Sequence, residues 1–129
     1  MNHAIQLAGK NSGMKAEIHY LESLDHFEWS EFENAHSLDP YDDYGWFHVT
    51  IGATDVLGGN DFQVCVATPR AVGRLKQSGI FPGVIVDRFD ARSVEQAIGE
   101  RVEAISGDNW NDIVWRLREF MKWEYEGMG

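Results

Sequence analysis

Between Ala16 and Pro69 the sequence contains no lysine and no arginine, yet eleven aspartates and glutamates fall in that stretch. The remainder is nearly balanced, with two lysines in residues 1–15 and nine bases against ten acids in residues 70–129. The formal charge of −10 therefore belongs almost wholly to one contiguous segment. A field of that sign repels phosphate backbones and anionic lipid headgroups, which argues against nucleic acid and membrane as partners. It favours rapid encounter with a basic protein.

Cysteine is almost as scarce. The single Cys65 stands within the apolar alternation FQVCVAT, which suits a buried thiol in a reducing compartment and excludes an internal disulfide. No apolar run approaches the roughly 18–20 residues of a membrane span. The opening MNHAIQLAGKNSG has neither the basic region nor the apolar core of an export signal. These absences point to a soluble, cytoplasmic protein. A chain of 129 residues, 43% of them hydrophobic, has room for one core and not comfortably for two. Residues 14–126 read as a single domain and residues 1–13 as a flexible extension, with Met14 a candidate start.

What is present is periodicity. Met14–Glu22 alternates Ala16, Ile18 and Tyr20 with Lys15, Glu17 and His19. Trp46–Thr54 repeats the pattern with Phe47, Val49 and Ile51, and Asp61–Thr68 with Phe62, Val64 and Val66. A period of two marks half-buried strands, and LGGND between the last two marks a hairpin. Pro69 opens a helix over Arg70–Gln77 that Gly79 closes. Val84, Ile85 and Val86 predict a fourth strand within Ile80–Phe89. Asp90 or Ser93 caps a helix with Val94, Ile98, Val102 and Ile105 on one face, ended by Gly107. Asp108 or Asn109 caps a last helix whose stripe is Trp110, Ile113, Val114, Leu117, Phe120 and Met121. The expected fold class is α+β, a mostly antiparallel sheet of about four strands with two or three helices packed on one face.

Residues 22–44, ESLDHFEWSEFENAHSLDPYDDY, join the first two strands and hold eight carboxylates, five aromatics and two histidines. Connections of this length are usually functional or disordered, and the apolar anchors Phe27, Trp29, Phe32, Leu38, Tyr41 and Tyr44 argue against disorder. Aromatic rings among acids suit a binding surface. The candidate partner-binding residues are Asp25, Glu28, Trp29, Glu31, Glu33, Asp39, Tyr41, Asp42, Asp43 and Tyr44, with acids of the Gly58–Asp61 turn beside them. The plainer reading makes the rings core cover and the acids a solvated rim. Glu28, Glu31 and Glu33 offer the carboxylates of a glycosidase, but so small a domain leaves little room for the cleft. His19, His26, His36 and His48 with Asp39, Asp42 and Asp43 lack the spacing of a metal site. DPYDDYG lacks the order and the terminal glutamate of a calcium loop. The residues thus give no reason to assign a catalytic centre, a cofactor or a metal.

The order of MKAEIHYLES, the acidic segment ending in DPYDDYGWFHVTIG, DFQVCVATP and SGDNWNDIVWRLREFMKWEY resembles the immunity protein 8 family of bacterial polymorphic toxin systems. The likeness runs from Met14 to about Tyr125 and is most recognisable in F-x-V-x-V-x-T-P, here Phe62, Val64, Val66, Thr68 and Pro69. Relatives often continue with a basic residue, Trp and Leu; this sequence has Arg70, Ala71 and Val72, and Trp46, Trp110, Trp115 or Trp123 is expected to restore the volume. The resemblance implies a non-enzymatic, antitoxin-like protein encoded beside a toxin, as in contact-dependent growth inhibition. Such a protein binds the C-terminal domain of its cognate toxin in the producing cell's cytoplasm. Many toxin domains of that kind are nucleases with basic surfaces, which an acidic inhibitor would answer. An acidic nucleic-acid mimic or adaptor for several basic proteins is the alternative, and a small hydrolase a more remote one. Five Trp and four Tyr leave room for a homodimer.

Overall fold

Three long strands, β1 (Met14–Ser23), β2 (Tyr44–Ala53) and β3 (Asn60–Ala67), form an antiparallel meander. The computed structural model describes residues 13–124 other than 27, 55 and 57, so the expected extension, apart from Gly13, and the anchor Phe27 lie outside the described residues. Register places Phe47 opposite Val64 and Val49 opposite Phe62. With Ile51 and Val66, these side chains are fully buried. Side chains alternate between the faces of a strand, so this one register commits the whole apolar set to one side. Each such residue contributes about 1.5–3 kcal/mol through burial. In β1 a register shift between Ile18 and Tyr20 turns Tyr20 to solvent, and Leu21 takes the core position expected for it. Gly58, at φ 79°, makes the turn between β2 and β3 in the left-handed region that glycine favours.

Helix α1 (Trp29–Asn34) lies in the connection between β1 and β2, followed along the chain by α2 (Pro69–Gln77), α3 (Ala91–Glu103) and α4 (Trp110–Leu117). The caps are those expected: Asp90 accepts from the Ser93 amide at 2.8 Å and Asn109 from the Asp112 amide at 3.0 Å. Val94, Ile98 and Val102 of α3 and Ile113 and Leu117 of α4 are fully buried against Phe47, Val49, Ile51 and Phe62.

The expected sheet of about four strands is too small, and its helices do not share one face. Three further strands of two residues each, β4 (Val84–Ile85), β5 (Ser106–Gly107) and β6 (Lys122–Trp123), make it six-stranded in the order β4-β3-β2-β1-β5, with β6 also on β3. Two residues cannot display a period of two, so β5 and β6 carry no sequence pattern. The predicted fourth strand shrinks to Val84–Ile85 and pairs parallel with β3. Gly107 does not end α3; it pairs with Met14. Helix α2 covers the opposite face, where Ala71 and Leu75 pack on Cys65 and Ala67 with Trp46 against them. Cys65 and Ala67 alternate with Val64 and Val66, so an uninterrupted apolar run VCVA signals a strand covered on both sides. Trp46 supplies volume beside the fully buried Ala71, as expected.

Candidate interaction surface

The 22–44 connection is held in two different ways. Helix α1 has no side-chain cap at Glu28, and it stays on the sheet through Phe32, which is only 5% exposed. The Phe32 ring meets Phe47 at 5.4 Å and Phe89 at 5.5 Å, and Trp29 meets it edge-on at 5.1 Å. Trp29 is half-buried and packs on the main core, so for these two rings the plainer expectation of core cover holds. With one side of α1 committed inward, Glu28, Glu31 and Glu33 are left exposed.

The arm that follows, residues 37–44, is latched by arginines. Arg70 pairs with Asp39 at 3.2 Å and Arg74 pairs with Asp42. The hydrogen bond to Asp42 is the main cause that raises the pKa of Arg74. Tyr41, 49% exposed, lies beside the Arg88 guanidinium, 5.8 Å from the ring centroid. Asp43 accepts from the Ser37 hydroxyl and the Tyr44 amide. Its own amide donates to Oγ1 of the fully buried Thr68 at 3.0 Å, and the Thr68 amide returns a bond to its carbonyl at 3.0 Å. Leu38, expected as an anchor, is fully exposed and anchors nothing. These latches escape a reading of the segment alone because every cation comes from distant positions in the chain.

Asp25 is also engaged, accepting from the Trp46 amide at 3.3 Å. Burial, with the Asp25 charge as a second cause, pushes the Cys65 thiol up to about 11, so it is not poised as a nucleophile. Of the histidines considered for a metal, His48 lies between Glu124 at 2.6 Å and Asp61 at 3.2 Å, His19 donates to the Gly58 carbonyl at 2.6 Å, and His26 stacks on Phe32. Among the described residues no group of three or more His, Cys, Asp or Glu could hold a metal ion. A hollow of about 210 Å³ is lined by His26, Phe32, His36, Ser37, Asp43 and Asp90. Both of its carboxylates already have partners, since Asp90 accepts from the Ser93 amide and pairs with Arg88 at 3.0 Å. Burial opposes ionisation of Asp90, but those partners together hold its pKa below the usual carboxylate value.

Of the acids without an ion pair among the described residues, Asp87, Asp108, Asp112 and Glu119 lie after β4 and around α4, and a second set lies around α1 and α3. Glu28, the N-cap of α1, directly precedes Trp29, and Glu33 stands one turn beyond Trp29 on the helix. Trp29 and Glu95 of α3 line one hollow of about 350 Å³ together with Ile18 and Leu21 of β1. A groove of about 390 Å³ continues along α3 past Glu95, Glu100 and Glu103. Sequence reasoning missed these three glutamates because their half of the chain is nearly neutral overall. No helix among the described residues is long and apolar enough to cross a membrane.

The family model for immunity protein 8 matches residues 16–128, nearly the whole chain, and the chain belongs to that family. No curated protein and no solved structure matches it.

Proposed function

We propose that this chain is the immunity partner of a basic, nuclease-type bacterial toxin domain, which it binds and neutralises in the cytoplasm of the producing cell. The family supports the immunity role. The observation that carries the rest is a set of carboxylates without ion pairs: Glu28 and Glu33 near the half-buried Trp29 in the chain, Glu95 at the hollow that Trp29 lines, and Glu103 in the groove along α3 that shares Glu95 with it. Carboxylates that keep their charge steer a cationic surface inward, while a ring already fixed by packing offers contact area at little further cost in entropy. Inhibition follows from occlusion, by binding and not by catalysis.

The arginine-latched arm has a secondary part in this reading. Asp39, Asp42 and Asp43 shape the end of the sheet, and Tyr41 and Tyr44 offer exposed aromatic area next to it. The test is calorimetry at two salt concentrations against the C-terminal domain of the toxin encoded beside this protein, followed by that domain's nuclease activity with and without it. One-to-one binding at nanomolar Kd or tighter, weakened by salt and accompanied by loss of nuclease activity, is the expected result. Binding to many unrelated basic proteins instead would make the chain a nucleic-acid mimic or adaptor.

A further inference from the structure

β1 is paired along its full length on one side only. β2 runs beside it from Ala16 to Ser23, whereas β5 covers only Met14 and Lys15, extended one residue by the Ala16 amide bonding to the Ile105 carbonyl at 3.2 Å. The Leu24 amide bonds the Trp46 carbonyl at 2.9 Å. Because backbone groups alternate in direction along a strand, positions 24, 22 and 20 face β2 and position 21 faces away. By the same alternation from Ala16, so does position 18. Among the described residues no strand lies beside Ile18 or Leu21 on that outer side.

The side chains of the same two residues floor the groove whose other wall is α3. Gly99 stands in the middle of that helix, where glycine is about 1 kcal/mol less favourable than alanine. A Cβ built there would meet nothing within 4 Å, so glycine widens the groove and relieves no contact. Glu95 and Glu103 make no ion pair among the described residues, and Glu100 accepts only from Gln96. Arg101, on the same helix, is turned onto the Phe120 ring at 4.0 Å and the Gly83 carbonyl at 3.2 Å; Arg92, in the first turn, pairs with none of these acids.

Resting on the toxin-binding reading above, we infer that the outer edge of β1 at Ile18–Leu21 receives an extended lysine- or arginine-bearing segment of the toxin domain, which adds as a strand beneath α3. Main-chain bonds to an open edge supply affinity, and alternate side chains supply specificity. Cationic side chains on such a strand meet Glu95, Glu100 and Glu103, and its apolar side chains meet Ile18 and Leu21. A second copy of this chain is a poor occupant, because pairing two β1 edges sets Glu17 and Glu22 of both copies close together, and like charges across strands repel.

The experiment is NMR-detected hydrogen exchange on the full chain, alone and saturated with the toxin domain, together with Kd for wild type, Gly99→Leu and Glu95→Lys/Glu103→Lys. The Ile18 and Leu21 amides should become protected in the complex. Gly99→Leu should hold or raise Tm, leucine being the better helix former, while weakening binding by about tenfold or more. The double reversal should weaken binding comparably and flatten its salt dependence. Tight wild-type binding with unprotected Ile18 and Leu21 and an unaffected Gly99→Leu would overturn the docking edge and leave the immunity role standing. Failure of the wild type to bind would remove both. Toxin-free self-association abolished by Gly99→Leu would assign the groove to a second copy and overturn the cationic occupant.

Discussion

Asp39 and Asp42 at the end of the connection face Arg70 and Arg74, while Glu95 and Glu103 across the sheet make no ion pair among the described residues. The two pairs carry equal formal charge and differ in what folding brings beside them. At a Debye length of about 8–10 Å, an acid beside its own arginine contributes little field to an approaching partner, and an acid alone contributes most of its own. A run of like charge in a sequence is therefore a poor guide to where a protein's field lies. The cations of the balanced half cancel acids of the other half, and the glutamates of the balanced half join those that stay unlatched.

The sharpest way to break the contrast is to remove what holds each region. Phe32 fixes α1 through ring contacts alone, so Phe32→Ala should lower stability by about 3–5 kcal/mol, as other buried phenylalanines do, read from urea unfolding. The arm depends instead on the fully buried Thr68, whose hydroxyl accepts from the amide of the half-buried Asp43. Thr68→Val should lower stability by about 1–3 kcal/mol, the range for stranding such a donor, with the exchange of the Asp43 amide accelerated. The third variant pair isolates charge: Glu95→Gln/Glu103→Gln and Asp39→Asn/Asp42→Asn each remove two negative charges. The first should slow association with the toxin domain by about tenfold at low salt, and the second by about twofold or less. Equal slowing in stopped-flow measurements would erase the distinction between the two regions.

The smallest effect is expected where the two regions meet. Arg88 lies beside Tyr41 of the arm and pairs with Asp90 at the start of α3. Asp90→Ala should remove about 1 kcal/mol of cap stabilisation. The sign with pH follows from the carboxyl, whose folded pKa lies below its ordinary value. The contribution is fully present above the unfolded pKa and is lost as pH falls through the folded one. Wild type and variant should therefore converge in thermal stability on acidification, with the gap fully restored toward neutral pH.

Much of the scaffold was legible before the structure, because its signals are local. The alternation in β2 and β3, the caps Asp90 and Asn109 and the stripe Val94–Ile98–Val102 all appear where the residues place them. The strands that escaped, β5 and β6, are two residues long, and α1 escaped because a six-residue helix without a side-chain cap is made by Phe32 packing on the sheet. The acidic segment was visible as a run, but its division into latched and unlatched acids depends on Arg70 and Arg74, whose reach belongs to tertiary structure. Tyr20 misled for a similar reason, since the register shift that turns it outward leaves no mark in the alternation.

The small strands that finish β3 also set an order of events. β1, β2 and β3 are neighbours both in the chain and in the sheet, so their ladder can assemble from local encounters. The outer edge of β3, by contrast, is closed by Val84–Ile85 at one end and by Lys122–Trp123 at the other. Until those segments arrive, a newly made meander carries an unpaired edge next to Phe62 and Val64, the kind of surface through which nascent chains stick to one another. The last strand thus works as a seal: it comes from the far end of the chain and covers an edge that the local meander alone would leave open.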